Sequence, residues 1–352
     1  MARLGSNPSK ERDNLPRYAD VRVIIPVYLP SLEGYYQHGL RVFEAMLDSI
    51  ASTTDGRVLV TVIDNACGSD VTPSLERYLE EGRVDRLVRN RVNRGKVDAV
   101  LAEMRASYEE VLVVADADVV FRPGWVDAVL AGFSAFPECG LLSLHPAPDL
   151  RWYASSSILA SARSRGARLV RAPLADVEDL ERFAQSVGRI ATEQPIEGQL
   201  VVVRDGHALM LGFAHFAFAV RSEAVACLPD GPSLSAENGV DAEYFELPAD
   251  RAGWWCATVL WALAHHVGNT IDDMELYRIA DFVASEVSES VGDLPPARRA
   301  AISRLLPETT RRMAARLTRS AYNLEPAAKR LFPAEHLGRE DFAAIRVVPV
   351  DG

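Results

Sequence analysis

The sequence predicts an α/β fold, a mostly parallel sheet flanked by helices, on three observations. Strand-like apolar runs alternate with amphipathic helical segments from residue 21 to about residue 146. The connections between them are short. Asp64, Asp116 and Asp118 stand where strands end. Alternation with short crossovers makes successive strands parallel and puts helices on both faces of the sheet. In such sheets ligands gather at the carboxyl ends of the strands.

Residues 1–20 are polar, with Pro8 and Pro16, and read as a loose tail. "VRVIIPV" is the first strand, closed by Pro26. "HGLRVFEAMLDSIAST" follows with Leu40, Phe43, Met46, Leu47 and Ile50 at helical spacing. "RVLVTVID" is the second strand. "TPSLERYLEEG" is a helix with Pro73 in its first turn and Gly82 at its end. "RVDRLVRN" is a weak third strand, "KVDAVLAEMRASY" a helix, and "VLVVADAD" the fourth strand. A helix "GWVDAVLAGFSAF" and a strand "CGLLSLHP" come next. Residues 147–198 then read as helical and Arg-rich, with Arg163, Arg165, Arg168 and Arg171 on a solvated helix face or, as the alternative, holding an anionic acceptor. "QLVVVRDGHALMLGFAHFAFAV" reads as β-structure around a turn at Asp205-Gly206. "WWCATVLWALAHHVGN" reads as strand in at least its second half, with buried helix as the alternative, and Trp254 and Trp255 as core residues rather than a sugar platform. From about residue 274 the chain reads as helical and basic, through Arg298, Arg299, Arg304, Arg311, Arg312, Arg316 and Arg319. Such helices would rest on an anionic membrane surface, on the acidic remainder of the chain, or on a second copy in a homodimer.

Composition narrows the function. A net charge of −11 argues against general nucleic-acid binding. The four cysteines, Cys67, Cys139, Cys227 and Cys256, form no CxxC pair, and the first residues are polar, so reduced thiols and a cytoplasmic protein are expected. The apolar run at 254–264 is too short for a bilayer, which needs about 20 residues.

The chemistry begins at Asp116 and Asp118. Two carboxylates so close cost free energy unless one takes up a proton or a basic partner or divalent cation joins them. No basic residue follows in sequence until Arg122. Residues two apart in an extended chain point to one side, and two hard oxygen ligands suit Mg²⁺ or Mn²⁺ rather than zinc. Asp64 and Asn65, at the end of the second strand, would meet a ribose hydroxyl or a base edge, or else cap the following turn. Gly95 and Lys96, at a helix start beside Arg94, supply backbone donors and positive charge suited to a phosphate. The first strand exits as "PVYLPS", with neither G-x-G-x-x-G nor a Walker loop.

"VRVIIPVY", "LDSIAST", "VIDNACGSD", "NRGK" and "VLVVADADVVFRPGWV", in that order and at about that spacing, resemble family 2 glycosyltransferases of the GT-A fold over roughly residues 21–130. The resemblance implies a GT-A catalytic domain at 21–272, with a nucleotide-binding half at 21–130 and an acceptor half at 131–272, and a helical C-terminal region at 273–352. It implies Asp118 as the main metal ligand, Asp116 near the ribose or donor sugar, and Asp64 at the base. Pro26, Val27 and Tyr28 would line the base pocket. The donor would be a nucleotide-diphosphate sugar, UDP-sugar favoured, with Mn²⁺ or Mg²⁺ and an unidentified acceptor. "DNACGSD" is one residue longer than the family's usual turn, and Leu101 stands where the family often has asparagine. Spacing back from Gly253 in "NGVDAEYFELPADRAGWW" puts Asp241 at the family's catalytic base, with Glu243 and Asp250 as rivals. His266 in "HVG" fits a third metal ligand or phosphate contact, or else a histidine satisfied in the core or at a strand end, and His265 would face the other way if the segment is a strand. The expected reaction is inverting hexosyl transfer.

Rival readings differ in order and content. "DADVV" also fits the DxDx[TV] nucleophile motif of haloacid-dehalogenase-like phosphatases, with Asp272-Asp273 as the acidic pair. That family carries the motif after its first strand and a lysine between the motifs, whereas here the motif ends the fourth strand and no lysine lies between Asp118 and Lys329. A nucleotidyltransferase would need a Gly-rich loop after the first strand. A nucleotide-sugar-binding module without turnover is the non-enzymatic alternative.

Overall fold

The computed structural model describes residues 19–172, 177–188, 199–233, 241–269 and 335–336. The expected tail, except for its last two residues, and the expected basic C-terminal helices, except Glu335–His336, lie outside these, as do Asp272 and Asp273.

The first half follows the alternation. β1 (Val21–Val27), α1 (Gly39–Thr54), β2 (Val58–Asn65), α2 (Thr72–Glu80), β3 (Arg86–Asn90), α3 (Gly95–Arg105) and β4 (Val111–Ala115) succeed one another, and β3-β2-β1-β4 is a parallel run of the sheet. β1 shows the two-residue period of a strand buried on both faces. Val23, Ile25 and Val27 share a core with Phe43, Met46 and Leu47 of α1, while Ile24 turns to Val97, Val100 and Leu101 of α3. Leu101 is therefore a core residue. Pro26, which has no N–H to donate, lies beyond Ile24, the last residue of β1 that pairs with β4.

The second half is mixed. β5 (Val119–Phe121), α4 (Trp125–Ala135), β6 (Cys139–Ser143), α5 (Ser156–Ser161), β7 (Arg168–Ala172), α6 (Val177–Ser186), β8 (Gln199–Arg204), β9 (His207–Leu211), β10 (Ala217–Arg221), α7 (Ser222–Val225), α8 (Asp241–Tyr244), α9 (Glu246–Arg251), β11 (Trp255–Thr258), β12 (Ala264–His266) and β13 (Glu335–His336) complete the described elements. The sheet runs β13-β7-β8-β9-β11-β6-β10-β4-β1-β2-β3, and β12 pairs with β5 in a separate two-stranded ribbon. β10 inserts antiparallel between β4 and β6. The β8–β9 hairpin turns at Asp205 (φ 49°) and Gly206 (φ 82°), the two left-handed positions that an Asp-Gly turn supplies. Trp254 and Trp255 are core residues. Among the described residues, no helix is long and apolar enough to cross a membrane.

Within 147–198, α5 and α6 follow the helical expectation and residues 173–176 and 189–198 lie outside the described ones, but the arginine-bearing stretch between the two helices departs from it. Arg163 and Arg165 lie on a short 3₁₀ turn closed by Gly166 (φ 77°), and Arg168 and Arg171 lie on strand β7. Arginine favours helices in isolation. Here the pairing of Leu169 and Val170 with Val202 and Val201 of β8 overrides that preference, and Arg171 is buried.

Candidate active site

The ends of β1, β2 and β4 open on one side of the sheet, and the loops after them are tied together. The hub is Asn65, which is buried. Its amide Nδ2 donates to Asn93 Oδ1 (2.9 Å) and Gly95 O (3.3 Å), and its Oδ1 accepts from Asn90 Nδ2 (3.0 Å) and Arg94 N (3.0 Å). With all these bonds made, Asn65 shapes the loop that launches α3. Gly95 enters that helix at φ 74°, a region where a Cβ is strained. Next to it, Lys96 sends its ammonium across to the β4 side.

Asp64 Oδ1 accepts from Cys67 N at 2.8 Å, and Oδ2 lies 3.3 Å from Arg89 Nε. It thus caps its turn, and the Arg89 guanidinium beside it is half-exposed. The turn that follows is unusual: Ala66 sits at φ 70°. A non-glycine residue held there costs of order 1–3 kcal/mol, and this is where the motif carries its extra residue. Val27 is fully buried, whereas Tyr28 is exposed and meets Tyr36 edge-on at 6.4 Å. Of that pair, Tyr28 presents a side chain.

Asp116 and Asp118 do not lie on an extended segment. β4 ends at Ala115, the chain turns before β5, and the two carboxylates take different partners. Asp116 Oδ1 meets Lys96 Nζ at 2.6 Å. Lys96 also lies 3.4 Å from Asp241 Oδ1 and donates to His215 O at 2.9 Å. The basic partner missing from the local sequence therefore arrives from α3, while Arg122 turns away to Asp179. Burial raises the Asp116 pKa and Lys96 opposes it, but Asp118 and Asp241 add repulsion, and the carboxyl ends above its ordinary value. Burial pulls Lys96 down, yet Asp116 and Asp241 outweigh it and the ammonium is held more firmly protonated.

Asp118 meets a different element. β12 pairs antiparallel with β5, His266 opposite Val119, and Val267 N donates to Asp118 O at 2.9 Å. His266 Nε2 consequently lies 3.3 Å from Asp118 Oδ2. His265, one residue back, points the other way to Asp179 (3.6 Å), and burial together with the charge of Arg122 holds it neutral, its pKa well below the usual range.

Among the described residues, no group of three or more His, Cys, Asp or Glu side chains forms a complete metal cage. Asp118 and His266 offer one hard oxygen and one imidazole nitrogen. Ligands adjacent on an octahedral cation, at about 2.0–2.1 Å each, sit about 3 Å apart, and Mg²⁺-type ions are commonly held by one or two carboxylates with substrate phosphates completing the shell. The pair fits a divalent ion that is bound together with a diphosphate.

Of the three acidic residues weighed as the base, Asp241 joins this cluster. Glu243 is exposed on α8. Asp250 is buried, accepts from Ser157 N at 2.7 Å and from the Ser156 hydroxyl, and so fastens α9 to the start of α5. Sequence reasoning missed two neighbours of Asp241. His215 Nδ1 lies 3.1 Å from Oε1 of the fully buried Glu246. Burial lowers the His215 pKa, but the hydrogen bond and charge of Glu246 outweigh it and leave it raised. The only signal was one polar residue inside the apolar run "GFAHFAFAV".

Residues 23–171 match the model of the family described as "Glycosyl transferase family 2". Among curated proteins, none matches the sequence. Solved structures with related chain traces include residues 1–349 of TarS from S. aureus, at 11% identity and a TM-score of 0.46, covering 88% of this chain and 74% of that one. The mannosyltransferase PcManGT from Pyrobaculum calidifontis, in complex with GDP-Man and Mn²⁺, matches at 16% identity and a TM-score of 0.41, covering 89% and 76%. Glucosyl-3-phosphoglycerate synthase from Mycobacterium tuberculosis, in complex with Mn²⁺, UDP and glucosyl-3-phosphoglycerate, matches at 16% identity and 0.38, covering 75% and 78%.

Proposed function

From a chain that carries a glycosyl transferase family 2 domain at residues 23–171 and is a glycosyltransferase, we propose metal-dependent, inverting transfer of a sugar from a nucleotide-diphosphate donor, UDP-sugar favoured, to an acceptor hydroxyl. One observation carries this reading: Lys96 draws Asp116 and Asp241 together while the β5–β12 ribbon sets His266 on Asp118. The reading then divides into a metal side at Asp118 and a base side at Asp241.

Asp118 and His266 would hold Mn²⁺ or Mg²⁺. Such an ion supplies positive charge to the diphosphate as it leaves. Asp64, beside Arg89, would accept from the base or ribose. Asp116 would reach the ribose or donor sugar, with Lys96 fixing its direction. Asp241 would take the proton from the acceptor hydroxyl on the face opposite the diphosphate, which inverts the anomeric centre. The catalytic unit would span 21–272, with a nucleotide-binding half at 21–130 and an acceptor half at 131–272. The four cysteines are free thiols, which suits a reducing compartment such as the cytoplasm.

Calorimetric titration of UDP with and without Mn²⁺ tests the reading. Wild-type protein should bind UDP tightly only with the cation, and Asp118→Asn should remain folded and lose that dependence. Equal affinity in the variant would remove Asp118 from the site.

A further inference from the structure

The two ring nitrogens of His266 face different elements. Nε2 looks at Asp118, and Nδ1 lies 3.0 Å from Ser186 Oγ. Ser186 is the last residue of α6, and this helix is keyed to the β12 strand along one face. Asp179 takes both terminal nitrogens of Arg122 (2.8 and 3.0 Å) and lies 3.6 Å from His265 Nε2. Four residues on, Phe183 stacks on Phe216 (5.1 Å, 22°), and both rings meet His266 edge-on, at 6.1 and 5.5 Å. Three residues further comes Ser186. Positions spaced i, i+4 and i+7 share a helix face, so α6 grips the histidine pair with a charge, a ring and a hydroxyl.

The hydroxyl decides which nitrogen of His266 carries the proton. Ser186 Oγ lies 2.8 Å from Phe183 O, the carbonyl one turn back. A serine has one O–H to donate, and within a helix it commonly goes to such a carbonyl. With that proton spent on Phe183 O, Oγ can only accept from His266, which places the imidazole proton on Nδ1. Nε2 then presents a lone pair toward Asp118, the form that binds a cation. Partners that donate or accept at the far nitrogen of a metal-binding histidine fix its tautomer and ring plane.

We infer that Ser186 is a positioning residue of the metal site: through the chain His266 Nδ1–H to Ser186 Oγ–H to Phe183 O, it holds the His266 ring with Nε2 aimed at the cation beside Asp118. The inference rests on the Asp118–His266 metal reading above. It assigns the second half of the chain a part in donor binding, because α6 belongs to neither the DxD turn nor the strand that bears the histidine. No proton leaves or enters; the hydroxyl selects between two neutral forms of the same ring.

Two measurements on the full chain test it. The first is the ¹⁵N spectrum of the histidine side chains in cation-free protein, with His266 identified by its loss in His266→Gln. Wild type should show the proton on Nδ1, and Ser186→Ala should shift the population toward Nε2–H, which faces the Asp118 carboxylate. Ser186→Thr, which keeps the hydroxyl, should keep the wild-type signature. The second is Mn²⁺ affinity in the presence of UDP, read from the free-ion electron paramagnetic resonance signal. Ser186→Ala should bind about 10–100-fold more weakly, and Ser186→Thr within about threefold of wild type. An Nε2–H signature in wild type, or an unchanged tautomer in Ser186→Ala, overturns the positioning role, and so does unchanged Mn²⁺ affinity in that variant. Should Ser186→Ala fail to fold, the wild-type tautomer and the threonine variant decide alone. Wild-type protein that binds no Mn²⁺ with UDP would instead sink the metal reading, and the tautomer result would still judge Ser186.

Discussion

Removing the Lys96 ammonium should expose how far the carboxylate cluster depends on imported positive charge. Lys96→Met keeps most of the stem and deletes the charge that lies 2.6 Å from Asp116 and 3.4 Å from Asp241. At an effective dielectric of about 20, those separations correspond to roughly 6 and 5 kcal/mol of gross attraction. Most of this is offset, because the ammonium no longer has to be desolvated, a cost of several kcal/mol per ion. Breaking a buried pair by removing one partner typically costs about 3–5 kcal/mol. These side chains are 24%, 29% and 14% exposed, so partial solvation brings the expected loss to about 2–4 kcal/mol. Urea unfolding at neutral pH should therefore show a lower midpoint with an unchanged slope. The loss should also depend on pH. Asp116 already has a folded pKa above its unfolded value near 3.9, so it binds protons more readily when folded, and its contribution to stability falls as pH rises from about 4 through the folded value. Without Lys96 that folded value climbs further. The gap between variant and wild type should widen with rising pH and shrink below about pH 4, where both bind the proton. Mn²⁺ with UDP should recover part of the loss, since a dication restores positive charge. A midpoint within about 0.5 kcal/mol of wild type at neutral pH, or a loss that ignores pH, would refute the coupled cluster.

Other substitutions separate the parts of the site. Asp64→Ala should weaken UDP binding by about 1.5–3 kcal/mol, the worth of a hydrogen bond to a charged group, measured by calorimetry; equal affinity would leave Asp64 as a cap on Cys67 N alone. Asp241→Asn should bind donor normally and lose transfer by about 10²–10⁴-fold, with wild-type product of opposite anomeric configuration in its NMR coupling; retained configuration would exclude the inverting displacement, and full activity would move the base to Glu243. Asp250→Ala should cost about 3 kcal/mol in urea unfolding, because Ser157 N and the Ser156 hydroxyl lose a buried acceptor. Its UDP affinity with Mn²⁺ should stay at the wild-type value; a large change would place Asp250 nearer the chemistry than its bonds to α5 allow.

How much of this was legible in the sequence depended on whether local pattern or distant pairing sets the structure. β1, β2 and β4 are runs of β-branched residues whose period and short connections leave one parallel arrangement, so Asp64, Asp116 and Asp118 could be placed at their ends without coordinates. The Asp-Gly turn of the β8–β9 hairpin was legible because its two left-handed residues admit few alternatives. β7 was not, because arginines mask a strand whose reason to exist is β8 beside it. Asp116 and Asp118 were expected to point one way, yet a turn after Ala115 sends them to Lys96 and to His266, and only the positions of α3 and β12 reveal it.

The same division separates what each half of the site controls. Strand ends of the parallel run carry Asp64, Asn65 and the Lys96 loop, and their geometry is fixed by ladders that the helices cover on both faces. The β5–β12 ribbon, α6 and α8 bring His266, Ser186 and Asp241 from far along the chain, and each is held by a few side-chain bonds rather than by a deep sheet. Changes in the first set should act on nucleotide affinity and on stability together, since Asn65 and Asp64 are buried and spend their polar atoms on the loops they shape. Changes in the second set should act on cation affinity and on turnover with little cost in folding, because Asp241 and Ser186 sit at the ends of their helices and remain partly exposed. Lys96 spans both, by its contacts with Asp116 and Asp241, which is why its removal should register in stability, pH dependence and donor binding at once.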